Sequence, residues 1–273
     1  MLHWQHADRH ADTIWEGRTM QGRYDRLNAI NAFGYNIKWD TLFHKSATIA
    51  GVGGLGMISA EMLARCGVGT LYLFDMDVVD TVNLNRLGFQ PEDIGRPKVE
   101  VIAERIKRIN NDVHPLPHHG DIMMLDNEDV FESRVKKSNV VLMGMDNLPA
   151  RMFVNQKCVN NGVVLIDGGA SRSALSGHVQ PVIPGRTACV ACRSSIAAKT
   201  PREKGQRCTA SLPTTMAIIA SIQAQEALKY LLGFGTLVSY ITCNALTGEF
   251  TAHRTNPDPA CPACKHVQHT AKY

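Results

Sequence analysis

A glycine-rich turn between two short apolar runs constrains this chain more than any other feature. Residues 47–52 (ATIAGV) are apolar and stop at glycines, as a buried parallel strand does. Residues 54–66 (GLGMISAEMLARC) read as a helix, and 70–75 (TLYLFD) as a second buried strand ending in an acid. Gly51, Gly53 and Gly56 lie between strand and helix in the order G-x-G-x-x-G. Glycines there let the backbone approach a phosphate at the positive end of the helix. Asp75 closes the second strand, where an acid can bond ribose hydroxyls. The alternative is a tight turn without a ligand, and the strand-turn-helix context argues against it.

The alternation continues downstream. Residues 98–109 are helical, with Val99, Ile102, Ile106 and Ile109 on one face, and 147–161 form another helix. Strands are expected near 112–117, 139–144 and 163–167. This pattern predicts an α/β, Rossmann-like, doubly wound fold with a mainly parallel sheet. The second half changes character. Residues 177–184 and 237–254 read as antiparallel strands, with 244–248 as a hairpin connection. A long helix is expected at 212–232, with Ser211 as its N-cap and Pro213 in its first turn. Residues 193–207 (RSSIAAKTPREKGQR) are basic and poor in core residues, and read as a mobile loop. Residues 1–21 read as a flexible leader, and 24–43 as patchy helix leading into the core. The expectation is therefore one domain over 22–273, with a cysteine-bearing loop at 193–211.

Charge excludes some functions. The chain of 273 residues carries a net charge of +4, too mild to argue for nucleic acid by itself. No apolar run is long enough to span a membrane. Eight cysteines with C-x-x-C spacing and no secretory signal fit a reducing compartment, so the expected location is cytoplasmic.

The segment after the second strand, FDMDVVDTVNLNRLGFQPEDIGRPKVE, carries Asn83, Arg86 and Lys98. A hydride-transfer site needs a flat nicotinamide slot, whereas cations suit a triphosphate whose charge must be offset during transfer. Asp146 ends the fourth strand at the carboxyl edge of the sheet, where an acid can hold Mg²⁺.

Two C-x-x-C pairs, Cys189/Cys192 and Cys261/Cys264, offer four thiolates to a tetrahedral structural zinc. The alternatives are two disulfides or redox pairs, but neither a secretory signal nor a thioredoxin-like strand accompanies them. Four cysteines close the shell without His266 or His269. Between the pairs lies Cys208, after basic Lys204 and Arg207 and before a helix, a setting that favours the thiolate. Cys66, Cys158 and Cys243 fall in apolar patterns and read as core residues.

The run GVGGLG…LYLFDMDVVDTVNLNRL…IGRPKVE, with CTASLPTTMAIIASIQAQEALKYLL, resembles the ubiquitin-like modifier-activating enzymes and their bacterial sulfur-carrier relatives. The similarity covers roughly residues 22–265. The phrases AEMLARCGVG, MDNLPARM, ALSGHVQPVIPG and SLPTTM carry a narrower match to the branch that activates the ubiquitin-fold modifier. The resemblance implies a ThiF/MoeB-type adenylation fold. It implies ATP and Mg²⁺ adenylating the C-terminal glycine of a small β-grasp protein, then a thioester on Cys208 and transfer to a conjugating enzyme. By position it implies nucleotide binding by Gly54, Asp75, Asn83, Arg86, Lys98, Asp121 and Asn147, with Asp146 positioning the metal. Arg26, in YDRLNAI, resembles the arginine that reaches the partner subunit's ATP, which implies a homodimer. The catalytic set is then Cys208, Arg86, Lys98 and Asp146. The alternatives are an adenylyltransferase for a sulfur carrier with no obligatory thioester, and a nucleotide-sensing scaffold with a dead site. The separate cysteine domain and ubiquitin-fold domain of the larger activating enzymes do not fit in the residues after Cys264.

Overall fold

In the computed structural model the described residues are 22–197 and 210–267, with backbone only at 194–197. Eight strands run in chain order as β1 (Ser46–Ala50), β2 (Thr70–Asp75), β3 (His114–His119), β4 (Val140–Met143), β5 (Leu165–Ala170), β6 (Ser176–Val182), β7 (Tyr240–Asn244) and β8 (Glu249–His253). They form one sheet in the order β3-β2-β1-β4-β5-β6-β7-β8. From β3 to β5 every pairing is parallel, and from β5 to β8 every pairing is antiparallel. The expected mainly parallel, doubly wound sheet with an antiparallel C-terminal half is what forms.

Seven α-helices accompany the sheet among the described residues: α1 (Asp25–Asn28), α2 (Gly56–Cys66), α3 (Lys98–Ile109), α4 (Leu125–Lys137), α5 (Leu148–Asn160), α6 (Val190–Ala197) and α7 (Pro213–Leu232). Strand alternation sends side chains to two separate cores. Ala47 and Ile49 of β1, with Leu71 and Leu73 of β2, face one core shared with α2, α3 and α7. Ala50 of β1, with Tyr72 and Phe74 of β2, faces a second core shared with α4, α5 and the four paired cysteines. Each face of the sheet thus buries a helical layer, which is why its central strands are apolar throughout.

The chain leaves β1 towards β2 and β3, then returns to the other side of β1 as β4. The strand order reverses between β1 and β4, the place where open α/β sheets of this kind bind ligands in a crevice outside the strands' carboxyl ends. Helix α7 is keyed to this point by Gln223, which is fully buried. Its Nε2 donates to Met143 O and Ile166 O, both at 2.8 Å, and its Oε1 accepts from Ser59 Oγ at 2.8 Å.

Three local expectations need correction. Helix α4 has no counterpart in the sequence reading, because only Phe131 and Val135 on it are fully buried and the periodic signal is thin. The stretch read as loop from residue 193 begins as helix, since α6 runs to Ala197. Ser211 does not cap α7; Leu212 occupies the capping position, without a side-chain hydrogen bond, and Pro213 starts the helix.

Candidate active site and cysteine cage

The glycine loop joins β1 to α2 at the crevice. Gly51 has φ +89°, where a side chain would be strained, and a Cβ there would sit 3.1 Å from the Gly144 carbonyl carbon. A Cβ on Gly56 would sit 1.8 Å from Gly51 O, so this turn closes only without side chains. Gly144 N donates to Ala50 O at 2.9 Å, which docks the end of β4 against the loop. The segment 144–147, bearing Asp146, therefore lies beside the loop.

Arg86 covers the loop from the opposite side. Its Nη1 lies 3.1 Å from where a Cβ on Gly53 would stand, and its Cδ 3.8 Å from that of Gly54. Its Nε is buried and has no hydrogen-bond partner among the described residues. An unsatisfied guanidinium nitrogen beside a glycine loop is a donor of the kind a phosphate oxygen accepts from. Lys98 is 5% exposed and its Nζ reaches Asp77 Oδ2 at 2.7 Å. Asp75 accepts from Val52 N at 2.8 Å and Asp77 N at 2.9 Å. Burial raises the pKa of Asp75, opposed by Lys98 and these two amides. Both Asp75 and Lys98 thus lie at the loop's edge, already engaged by neighbours that a nucleotide would displace or join.

The remaining candidates divide. Asn83 is buried, and its Oδ1 accepts from Asp80 N in the turn before Arg86. Asn147 is the N-cap of α5, its Oδ1 accepting from Ala150 N at 2.8 Å. Asp121 accepts from Met123 N at 3.0 Å in the turn after β3. Those oxygens serve local structure. Asp146 is exposed, and its carboxylate makes no hydrogen bond or ion pair among the described residues. One free hard-oxygen donor beside the glycine loop fits Mg²⁺, which keeps several waters and takes few protein ligands. Arg26 is not brought to this loop. Tyr24, two residues before it, packs at Gly67, the far end of α2 and roughly 16 Å along the helix from Gly56.

Cys208, with Lys204 and Arg207, lies outside the described residues. The described chain resumes at Ala210, and Ser211 O accepts from Asn85 Nδ2 at 3.0 Å. Met216 on the first turn of α7 lies 3.4 Å from where a Cβ on Gly54 would stand. The residues that follow Cys208 in sequence therefore adjoin both Arg86's segment and the glycine loop.

The four paired cysteines converge. Their Sγ atoms all lie within 4.8 Å of one another and every one of the four residues is buried. Cys189–Cys192, Cys189–Cys261 and Cys192–Cys264 stand at 3.7, 3.8 and 3.4 Å. A tetrahedral zinc with thiolate ligands sets such edges at about 3.8 Å, whereas a disulfide requires about 2.0 Å. Burial pushes the Cys189 thiol up to about 11 and the Cys264 thiol up as well. A divalent cation offsets that cost by stabilising the thiolates. Asn155 Oδ1 accepts from Val190 N at 2.9 Å and Gln156 Nε2 donates to Ala263 O at 3.3 Å, so α5 carries the cage on its inner face. Cys158 and Cys243 are buried, and burial raises both thiols. Cys66 is half-buried, and burial pushes its thiol up to about 11.

One polar cluster escaped the sequence reading. Asp167 on β5 is 1% exposed and receives both its oxygens' bonds from Arg151 Nη2, at 2.6 and 2.7 Å. His178 Nε2 lies 3.2 Å from Asp167 Oδ2 and its ring stacks on Tyr240. Arg193 lies over the other side of that system, 3.4 Å from the Tyr240 centroid. The available signal was an acid ending the apolar run VVLID, as Asp75 and Asp146 end theirs. Burial would raise the Asp167 pKa, but Arg151 and then His178 outweigh it and hold the carboxyl low. A lowered folded-state value contributes stability above the unfolded value near 4 and loses it as pH falls through the folded value. The stability gap between the parent chain and Asp167→Asn, measured by urea melts, should therefore narrow as pH drops below about 4.

The family model described as ThiF family matches residues 24–263. The chain is 38% identical over 263 residues to Ubiquitin-like modifier-activating enzyme 5 of Caenorhabditis elegans, covering 92% of this chain and 62% of that one. It is 39% identical over 264 residues to the protein of that name from Dictyostelium discoideum, covering 92% and 69%. With the Xenopus laevis protein of that name the figures are 40% over 252 residues, 87% and 63%. The chain thus spans less than two thirds of the length of the Caenorhabditis elegans and Xenopus laevis relatives. Among solved structures, Escherichia coli MccB with ATP superposes with a TM-score of 0.76 at 22% identity, over 92% of this chain and 75% of that one. PaaA gives 0.64 at 20%, over 86% and 73%. At such identities these two speak for the fold alone.

Proposed function

The chain belongs to the ThiF family, and from that premise we propose that it activates a ubiquitin-like modifier, the ubiquitin-fold modifier, by adenylating its C-terminal glycine with ATP. The modifier then passes to Cys208 as a thioester and on to a conjugating enzyme. The observation that carries this reading is the segment around Arg86: it lays an unsatisfied guanidinium nitrogen over the glycine loop and, through Asn85, holds Ser211 three residues after Cys208. The glycine loop, Arg86 and the start of α7, which follows Cys208 in sequence, lie together, and that supports the reading. The relatives' printed name supports the choice of substrate class.

Glycine-loop amides and the start of α2 hold phosphate oxygens, and Arg86 and Lys98 offset their charge. The modifier's carboxylate attacks the α-phosphorus, the bond to the β-phosphate breaks, and pyrophosphate leaves. Magnesium, when bound, screens the triphosphate and stabilises the leaving pyrophosphate. Asp146 is the residue to hold it, while Asp75 takes ribose hydroxyls and Asn83, Asp121 and Asn147 line the nucleotide. Holding both reactants aligned is most of the protein's task. The Cys208 thiolate then attacks the acyl carbonyl and AMP leaves. Arg26, far from its own loop, is assigned to a partner's ATP in a homodimer. The cage holds zinc. No helix among the described residues is long and apolar enough to cross a membrane, and reduced cysteines suit a cytoplasmic reaction.

The test incubates the protein with ATP, Mg²⁺ and the ubiquitin-fold modifier. ATP–pyrophosphate exchange should require the modifier, and a non-reducing gel should show an adduct that thiols cleave. Cys208→Ser should keep the exchange and lose the thiol-cleavable adduct completely. A thiol-cleavable adduct that persists in Cys208→Ser refutes the thioester role. Sulfur transfer to a carrier without an adduct identifies a sulfur-carrier adenylyltransferase instead, and ATP binding without exchange identifies a dead site.

A further inference from the structure

We propose that Arg151 is a positioning residue that aims Asp146, and that the buried Asp167 and the half-buried His178 hold Arg151 in the orientation this needs. The inference rests on the reading of Asp146 as the metal-holding acid. Arg151 lies at the end of the first turn of α5, four residues after the N-cap Asn147. Its Nη1 donates to Met145 O at 2.9 Å and Gly168 O at 3.1 Å. Met145 immediately precedes Asp146, so this bond fixes the peptide plane from which the Asp146 side chain departs. The same guanidinium spends its Nη2 on both Asp167 oxygens. One side chain thus ties the segment just after β4 to the middle of β5.

The surroundings leave this fork no freedom. A Cβ on Gly169 would sit 2.7 Å from His178 Cε1 and 3.3 Å from both Arg151 terminal nitrogens. His178 blocks Asp167 from turning away, and Tyr240 stacks behind His178. Gly51 and Met145 approach within side-chain contact, so the clamped segment also abuts the glycine loop. A buried ion pair is a weak way to stabilise a core, since an apolar replacement does as well or better. Its use beside Asp146, a carboxylate free of partners among the described residues, makes sense as orientation of a ligand by its outer partners. Lysine keeps the charge but presents no planar fork, so it cannot satisfy two carbonyls and both carboxylate oxygens together.

The experiment compares the full chain with Arg151→Lys, Asp146→Asn and the double variant. Mn²⁺ is the probe, with its binding followed by electron paramagnetic resonance in the presence of a non-hydrolysable ATP analogue. Melting temperature and modifier-driven pyrophosphate exchange against Mg²⁺ concentration are measured in parallel. Arg151→Lys should weaken Mn²⁺ binding about 10- to 100-fold and raise the Mg²⁺ needed for half-maximal exchange by a like factor. In the Asp146→Asn background the same substitution should change nothing further. Unchanged Mn²⁺ binding in a folded Arg151→Lys, or effects that multiply independently in the double variant, overturns the proposal. If Arg151→Lys does not fold, His178→Gln, on the exposed side of the cluster, must weaken Mn²⁺ binding in the same direction; no change there overturns it equally. If the parent chain shows no nucleotide-dependent Mn²⁺ binding, the reading of Asp146 falls first and the proposal with it.

Discussion

Gly56→Ala is expected to abolish measurable ATP binding, with at least a 100-fold loss of affinity, and to destabilise the chain by about 1–3 kcal/mol or more. The added Cβ would stand 1.8 Å from Gly51 O and 2.9 Å from Gly51 C. Both are backbone atoms, so no rotamer change relieves the overlap. Gly51 N is itself bonded to Phe74 O at 2.7 Å, and Gly144, docked on Ala50, backs the turn from the β4 side. Either the loop opens, and the amides that would face a phosphate diverge, or α2 shifts against β1. Nucleotide titration calorimetry and thermal melts read the two consequences separately. Gly54→Ala is the control. Its Cβ would meet Met216 Cγ at 3.4 Å, Met216 Sδ at 3.6 Å and Arg86 Cδ at 3.8 Å, all ordinary contacts, and Gly54 does not have positive φ. That variant should melt within about 1 kcal/mol of the parent, whatever it does to ATP. A Gly56→Ala protein that binds ATP normally would mean the loop is not the phosphate site.

Loss of the cage should have the larger effect on stability. Cys264→Ser, or a strong chelator, is expected to remove about one zinc per chain and to cost about 3–5 kcal/mol or more. Each of the cross-pair contacts Cys189–Cys261 and Cys192–Cys264 joins residues 72 apart. By analogy with a disulfide, closing a loop of that length removes about 4 kcal/mol of chain entropy from the unfolded state. The cage also forms part of the core on the α4–α5 face of the sheet, so three uncompensated buried thiols or thiolates would remain behind in Cys264→Ser, and four after chelation. Metal analysis checks the stoichiometry and urea melts check the cost. Less than about a tenth of a zinc per chain in a fully folded sample would contradict the metal reading.

Cage and crevice were legible in the sequence to different depths. The glycine spacing, the apolar runs and the two C-x-x-C pairs are local patterns, and each marks its own element. Helix α3, read as 98–109, forms as Lys98–Ile109 because its apolar face repeats cleanly; strand β2 forms at Thr70–Asp75 for the same reason. Helix α4 was missed because it buries little, and the later half of α6, residues 193–197, because its polar composition resembles a loop. Within the site, Arg86 and Asp146 stood out as charges after strands. Arg151, Asp167 and His178 did not, since their partners come from α5, β5 and β6, and no spacing announces them.

The sequence by itself determined the alternation of strands and helices, the glycine turn, the four thiols of one cage and the family, because each is written in short-range periodicity or motif. Only the tertiary structure decided that β4 returns beside β1, that Gln223 locks α7 over the crevice, and that Ser211 meets Asn85. It also decided which charges are free to act. Lys98 is paired with Asp77 and Asn147 is spent on a helix cap, while Asp146 and the Nε of Arg86 are left without partners among the described residues. The reason is that hydrogen-bond satisfaction is settled by neighbours distant in sequence, and no reading of one segment contains them.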